Sequence, residues 1–169
     1  QGDIVKVRNQ TGQSLDRFAV LGIDSPAIDP QENQREFKNH VALNAVTPTA
    51  QHRGRFVVLL EPLGPGRIGK AWLSGVCPAR INVLEDWHSH ADIQEGDSSS
   101  LTSHPAGSAQ ILWRESGTGL KWAVVRLSNA HRSSFLIRVP TNGIPARYGA
   151  QTGSAACEIY TVDESGTIE

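Results

Sequence analysis

The sequence predicts an all-β protein, a barrel or sandwich of short antiparallel strands with a small C-terminal β-hairpin unit. The first observation is the compact apolar run at 56–60, which a Pro/Gly-rich turn separates from an alternating run at 68–76. This pattern is typical of two strands joined in a hairpin. The second is a similar pair of runs at 109–113 and 120–127, joined by a glycine-containing turn. The third is that no long segment has helical periodicity.

The N-terminal part of the chain contains three further candidate strands. A partly alternating segment at 4–7 and an apolar segment at 18–23 are expected to pair as a first hairpin or meander. A third short strand is predicted at 41–46. Before it lies a long polar connection, residues 24–40, in which one helical turn is expected between Pro30 and Lys38. A loop of this length in a compact domain is usually functional or packs on a neighbouring subunit.

The central stretch, residues 55–83, is predicted to form the hairpin around which the domain is built. Its first run is apolar on consecutive positions, so both faces of that strand should be covered. In the second run, Gly69 and Gly75 lie among apolar residues. Glycines inside a strand indicate a bulge, a sharp barrel bend or another backbone lying close by.

The domain boundary is expected near Ala130, with a β-barrel or sandwich in residues 1–129 and a small β unit in residues 130–169. Strands at 134–139 and 157–162 flank a Pro/Gly-rich bend in the smaller unit. An isolated hairpin is marginal in water. It must therefore pack on the main domain, on another subunit or on residues beyond Glu169.

The composition is that of an ordinary globular protein and indicates no specialised partner. The chain has 169 residues and a formal net charge of -1, which provides no basic field, so we expect no nucleic-acid partner. No run approaches the roughly 18 consecutive apolar residues of a spanning helix, so we expect no membrane partner. The length suits one core plus a small appendage. The two cysteines, Cys77 and Cys157, are interpreted as buried thiols, with a disulfide between them as the alternative.

Three segments carry a resemblance to a known group of proteins. They are GRFVVLLEPLGPGRIGKAWLSGVCPARI, SAQILWRESGTGLKWAVVRL and GIPARYGAQTGSAACEIYTVDESGTI. Together they resemble β-modules of tailed-bacteriophage virion structural proteins, namely capsid decoration proteins and modules of head or tail fibres, including uncharacterised phage and prophage proteins. The shared features are glycine and strand patterns without catalytic residues, so no functional residue carries over.

The resemblance implies a non-enzymatic virion component, assembled in the host cytoplasm and built as a homotrimer. Its partners would be other virion proteins, such as the major capsid protein or fibre subunits, in a decoration, cement or fibre-base role. The alternative is a glycan-binding module of a tail fibre that recognises a host surface glycan. A hydrolase is a remote alternative, because no G-x-S-x-G elbow or other nucleophile motif is present.

The sharpest candidate for metal chemistry is the pair His88 and His90, flanked by Asp86 and Asp92. In an extended strand, residues two apart share a face, so both imidazoles could bind one iron or other transition-metal ion. A His-x-His pair at a threefold axis also resembles the iron sites of some phage fibres. The simpler interpretation is a solvated loop with two ordinary histidines, in which case no cofactor is bound.

Aromatic residues are the candidates for glycan binding. Trp72, Trp113 and Trp122 lie within apolar strands, so we expect them in the core. Trp87 and Tyr148 lie in polar or glycine-rich, loop-like surroundings. If the chain binds a sugar, the sequence places the site at Trp87 and Tyr148.

Overall fold

The computed structural model describes residues 3–127, 135–138 and 158–161, the last two ranges as backbone only. The chain divides into two units, Gln1–His131 and Arg132–Glu169. The all-β class predicted from the sequence is confirmed. The larger unit, however, contains two closed five-stranded barrels rather than one barrel or sandwich.

The first barrel is built from the N-terminal half of the larger unit. Its strands are β1 (Ile4–Asn9), β2 (Val20–Pro26), β3 (Ala42–Val46), β4 (Phe56–Leu59) and β5 (Ile68–Trp72), in the spatial order β1-β3-β2-β4-β5. The helical turn expected after Pro30 is α1 (Gln34–Asn39), which begins after Asn33, whose side chain accepts a hydrogen bond from the Glu36 N–H. A 3₁₀ turn, Ala50–His52, precedes β4.

The second barrel repeats the topology of the first. Its strands are β6 (Gly75–Val83), β7 (His90–Gln94), β8 (Asp97–His104), β9 (Ala109–Arg114) and β10 (Gly119–Leu127), in the order β10-β6-β8-β7-β9. In each barrel the first strand pairs parallel with the third and antiparallel with the fifth. The larger unit is therefore a tandem pair of barrels with one connectivity.

Two expectations about strand pairing are wrong. Strands β1 and β2 do not form a hairpin, because β3 lies between them and runs parallel to β1. The chain between β1 and β3, residues 10–41 including β2, provides the length that a parallel pairing requires. The sheets are also not purely antiparallel, since β6 and β8 form a second parallel pair.

The two predicted hairpins are present, but the central one ends earlier than expected. Strands β4 and β5 are antiparallel, with Val58 opposite Trp72, and β9 and β10 form the other hairpin. The chain passes from one barrel to the other at Leu73 and Ser74, inside the stretch expected to be one hairpin. Gly75 begins the second barrel with a φ of 88°, a left-handed conformation that glycine adopts without strain.

Strand β4 is covered on both faces, as its run of consecutive apolar residues predicts. Val57 and Leu59 lie in the core of the first barrel. Phe56 and Val58 point the other way and belong, with Val20, to the core cluster that fills the second barrel. The second barrel covers the outer face of β4, so the two barrels share one continuous apolar interface.

The smaller unit contains the two strands predicted from the sequence. They are β11 (Phe135–Arg138) and β12 (Glu158–Thr161), paired antiparallel with Leu136 opposite Tyr160. Among the described residues, no helix is long and apolar enough to cross a membrane.

Candidate functional site

The outer face of the second barrel exposes a group of apolar side chains on β6, β9 and β10. We call it the tryptophan face; its large exposed members are Val76, Leu112, Trp113, Leu120 and Trp122. Trp113 is 58% exposed and Trp122 is 41% exposed. The expectation that these two residues lie in the core is therefore wrong.

Strand alternation explains why both tryptophans lie outside. On β10, Ala123, Val125 and Leu127 fill the barrel interior, so Trp122 and Val124 point outward. Trp113, on β9, lies opposite Val124 of β10, and the register of this pair of strands shifts between Val124 and Val125. Trp113 and Trp122 are thus diagonal neighbours on one face, a spacing within reach of aromatic side chains.

A second aromatic group is centred on Phe18, in the loop between β1 and β2. Its ring stacks on Trp72 at a centroid distance of 6.2 Å and meets Trp122 edge-on at 5.4 Å. The guanidinium of Arg17 lies 4.6 Å from the centre of the Phe18 ring, and that of Arg80 lies 5.6 Å from the Trp122 ring. Trp72 is partly buried and packs on the core, as expected.

A cleft of about 360 Å³ opens beside this aromatic group, between the two barrels. The first barrel contributes residues 13–19, and the second contributes Arg80 and residues 96–99. The hydroxyl oxygen of Ser98 is buried and lacks a hydrogen-bond partner within the described structure. No sequence signal indicates this site, because its walls come from segments far apart in the chain.

The proposed histidine pair does not lie on one strand. Only His90 is in β7, while His88 belongs to the turn before it. The His88 Nδ1 atom is 2.8 Å from the Ser103 hydroxyl, and its ring stacks with His104 at 6.4 Å, whereas His90 Nδ1 is 2.9 Å from the Ser89 hydroxyl. In the described part of the chain, no group of three or more His, Cys, Asp or Glu residues could hold a metal ion.

Asp92, a candidate ligand beside these histidines, makes structural contacts instead. It is 6% exposed. Its carboxylate accepts hydrogen bonds from the backbone N–H groups of Gly54, Ile93 and Ser108 and from the Ser108 hydroxyl. Gly54 belongs to the first barrel, so this carboxylate links the two barrels.

The two residues predicted for glycan binding have different outcomes. Trp87 is 68% exposed, in the turn after β6, and its ring meets the His88 ring edge-on at 4.6 Å. Tyr148 lies outside the described residues. The structure therefore places an exposed tryptophan at one half of the predicted site.

Of the two cysteines, Cys77 is a free thiol in the core of the second barrel. Burial raises its pKa from the ordinary value of 9.0 to about 12, so the thiol is protonated and unreactive near neutral pH. Cys157, its partner in the predicted alternative disulfide, lies outside the described residues.

Comparisons of this chain with protein-family models, with curated proteins and with solved structures found no match.

Proposed function

We propose that the chain is a non-enzymatic structural module of a tailed-phage type of virion, which binds neighbouring protein subunits through the tryptophan face. The observation that carries this proposal is the exposure of Leu112, Trp113, Leu120 and Trp122 on the outer face of one barrel. Contiguous exposed apolar side chains mark interaction surfaces. Tryptophan and arginine, here Trp122 beside Arg80, are enriched in the energetic centres of protein interfaces.

The closed barrels favour binding through a strand face rather than through a sheet edge. In a closed barrel every strand has a neighbour on both sides, so no row of unpaired backbone groups is left to accept an added strand. Side chains on the outer face must then provide the contacts. This suits a module that is one of several copies in a symmetric assembly.

The first test concerns self-association through the tryptophan face. Light scattering after size exclusion should give a trimer for the native chain and a smaller species for Trp113→Glu, because a carboxylate in an apolar interface is unpaired. Val41→Glu is the matched control, since Val41 is 72% exposed but lies before β3, away from the face. A monomeric native chain would contradict the proposed trimer. Equal effects of both variants would contradict the proposed role of the tryptophan face.

The second test concerns the virion itself. Particles purified from the organism that encodes the chain should contain its peptides, quantified by mass spectrometry against the major capsid protein. A copy number comparable to the capsid lattice indicates a decoration or cement role, and a few copies indicate a fibre. Absence of the chain from particles would contradict the proposal.

Glycan recognition is the second candidate function, and the adjacent exposed Trp113 and Trp122 favour it. Two indole rings on neighbouring strands of one sheet face provide a surface on which sugar rings can stack. A glycan array probed with the native chain should then give signals that Trp113→Ala abolishes. If Trp87→Ala abolishes them instead, the glycan site is in the turn predicted from the sequence.

A further inference from the structure

Apart from Arg80, the cleft between the barrels is lined by residues that the proposed protein-binding function does not use. Its lining includes the cations Arg17 and Arg80, the acids Asp16 and Asp97, and several serine and threonine residues. Its volume of about 360 Å³ is within the range of small-molecule sites. The cleft is therefore large enough for a monosaccharide-sized ligand.

The two arginines are held in place but are not neutralised by the protein. Each guanidinium lies over an aromatic ring, Arg17 over Phe18 and Arg80 over Trp122. No ion pair joins either of them to a carboxylate of the described residues. An arginine stacked on an aromatic ring keeps its in-plane N–H donors free for an oxyanion.

The two acidic residues of the cleft differ in how many hydrogen bonds from the protein they already accept. Asp97 already accepts hydrogen bonds from the backbone and hydroxyl of Ser99 and from the Ser100 hydroxyl. Asp16 is exposed at the cleft wall. A carboxylate accepts hydrogen bonds from hydroxyl groups but repels an anion. The ligand should therefore provide hydroxyl donors as well as an oxyanion.

Two further observations indicate that the cleft is built for a ligand. The buried Ser98 hydroxyl has no partner within the described structure, and a buried hydroxyl without a partner is destabilising. Ser98 belongs to the lining of the cleft, where a ligand can supply the missing partner. Phe18, at the centre of the aromatic group, has a φ of 71°; strained residues of this kind cluster at ligand sites.

We propose that this cleft binds a polyhydroxylated carboxylic acid, such as a uronic acid residue of an acidic saccharide. The ligand carboxylate pairs with Arg17 and Arg80, and its hydroxyl groups donate to Asp16 and exchange hydrogen bonds with the serines of residues 96–99. The site borders the tryptophan face, because Arg80 lies over Trp122, but its other lining residues belong to other segments. It goes beyond the protein-binding function proposed for that face. A fully ionised inorganic oxyanion, which has no hydroxyl group, would leave the acceptor Asp16 without a donor.

The test is a titration of the full chain with sodium D-glucuronate, monitored by the NMR signals of the backbone amides. D-glucose, which lacks the carboxylate, and inorganic phosphate, which lacks the polyol, are the comparison probes. Glucuronate should shift amide signals of residues 13–19 and 96–99 with a Kd of about 1 mM, typical of a small ligand with few contacts. Glucose and phosphate should each bind about tenfold more weakly or not at all.

Variants separate this site from general charge effects. Arg17→Gln and Arg80→Gln should each weaken glucuronate binding about tenfold, because each removes a charge-assisted hydrogen bond. Arg35→Gln makes the same charge change on α1, outside the cleft, and should leave Kd unchanged. Trp113→Ala, which alters the tryptophan face, should also leave it unchanged. Unchanged amide signals outside the cleft verify that each variant is folded.

Three results would overturn the proposal. The first is no shift of the cleft amides with glucuronate. The second is phosphate binding as tightly as glucuronate, which would indicate an oxyanion site without polyol selectivity. The third is an equal loss of affinity in Arg35→Gln, which would indicate screening of net charge. None of these outcomes bears on self-association, so the function proposed for the tryptophan face is tested separately.

Discussion

At the scale of single residues, Phe18 has an unusual backbone conformation. Among the described residues it is the only non-glycine residue with a positive φ, at 71°. The left-handed region costs an L-residue roughly 1–2 kcal/mol. The contacts of its ring with Trp72, Trp122 and Arg17 stabilise the residue there.

The strain at Phe18 predicts that the glycine variant is more stable than the alanine variant, the reverse of the order expected in a helix. Both Phe18→Ala and Phe18→Gly lose the ring contacts, but only glycine relieves the strain. We therefore expect Phe18→Gly to be more stable than Phe18→Ala by about 1 kcal/mol in urea denaturation. Phe37, in the helix α1, is the control: there the alanine variant should be more stable by about 1 kcal/mol. Alanine being better at both positions would contradict the prediction.

His104 is a residue whose surroundings favour its neutral form. Burial is the main cause that lowers its pKa below 6.5; Arg53 and His88 lower it further, and Asp92 opposes them. Because the folded pKa is lower than the unfolded one, the contribution of His104 to stability is complete above pH 6.5. It is lost as the pH falls through the lowered pKa.

Side-chain NMR should therefore give a titration midpoint for His104 below 6.5. Arg53→Gln removes one of the charges that lower the pKa, so the midpoint should rise toward the ordinary value. Arg35→Gln, which makes an equal change of charge on α1, should leave the titration midpoint of His104 unchanged. A midpoint above the ordinary value in the native chain would show that the attraction of Asp92 outweighs burial.

At the scale of elements, alternation along strands decides what lies inside. Strand β10 directs Ala123, Val125 and Leu127 inward, which leaves Trp122 on the surface although its segment is apolar. Hairpins β4–β5 and β9–β10 were predictable because their partners are adjacent in sequence. The parallel pairs β1–β3 and β6–β8 were not, because their partners are separated by an intervening strand.

The connection between the barrels depends on Asp92 as well as on apolar packing. Asp92→Ala leaves the N–H groups of Gly54, Ile93 and Ser108 without their acceptor. We expect a loss of about 3 kcal/mol in the free energy of unfolding, typical of hydrogen bonds to a buried charged group. Asp24→Ala removes an exposed carboxylate that accepts from Ser25 and should change stability by less than about 0.5 kcal/mol. Similar small effects of both variants would contradict the structural role of Asp92.

At the scale of the whole larger unit, two barrels of one topology share a core. Val20, Phe56 and Val58 belong to strands of the first barrel but to the core cluster of the second. Neither barrel keeps its buried surface if the other opens, because each would expose that shared apolar interface. We therefore expect the two barrels to unfold as one cooperative unit.

Hydrogen exchange measured by mass spectrometry on the full chain tests this cooperativity. Val58→Ala should lower the protection of amides in both β4 and β10, by about 2 kcal/mol in opening free energy, because it creates a cavity at the interface. Val41→Ala, at a position that is 72% exposed, should change neither strand. Loss of protection confined to the first barrel would show that the barrels open independently.

The sequence by itself determined the all-β class, the two local hairpins and the double burial of β4, because these depend on alternation, turn residues and apolar runs between neighbours in the chain. Only the tertiary structure decided that one predicted domain is two barrels, that Trp113 and Trp122 are exposed, and that Arg17, Arg80 and Ser98 meet in a cleft. These features arise from pairings between distant segments. A one-dimensional pattern specifies which residues share a strand face, but not which element covers that face.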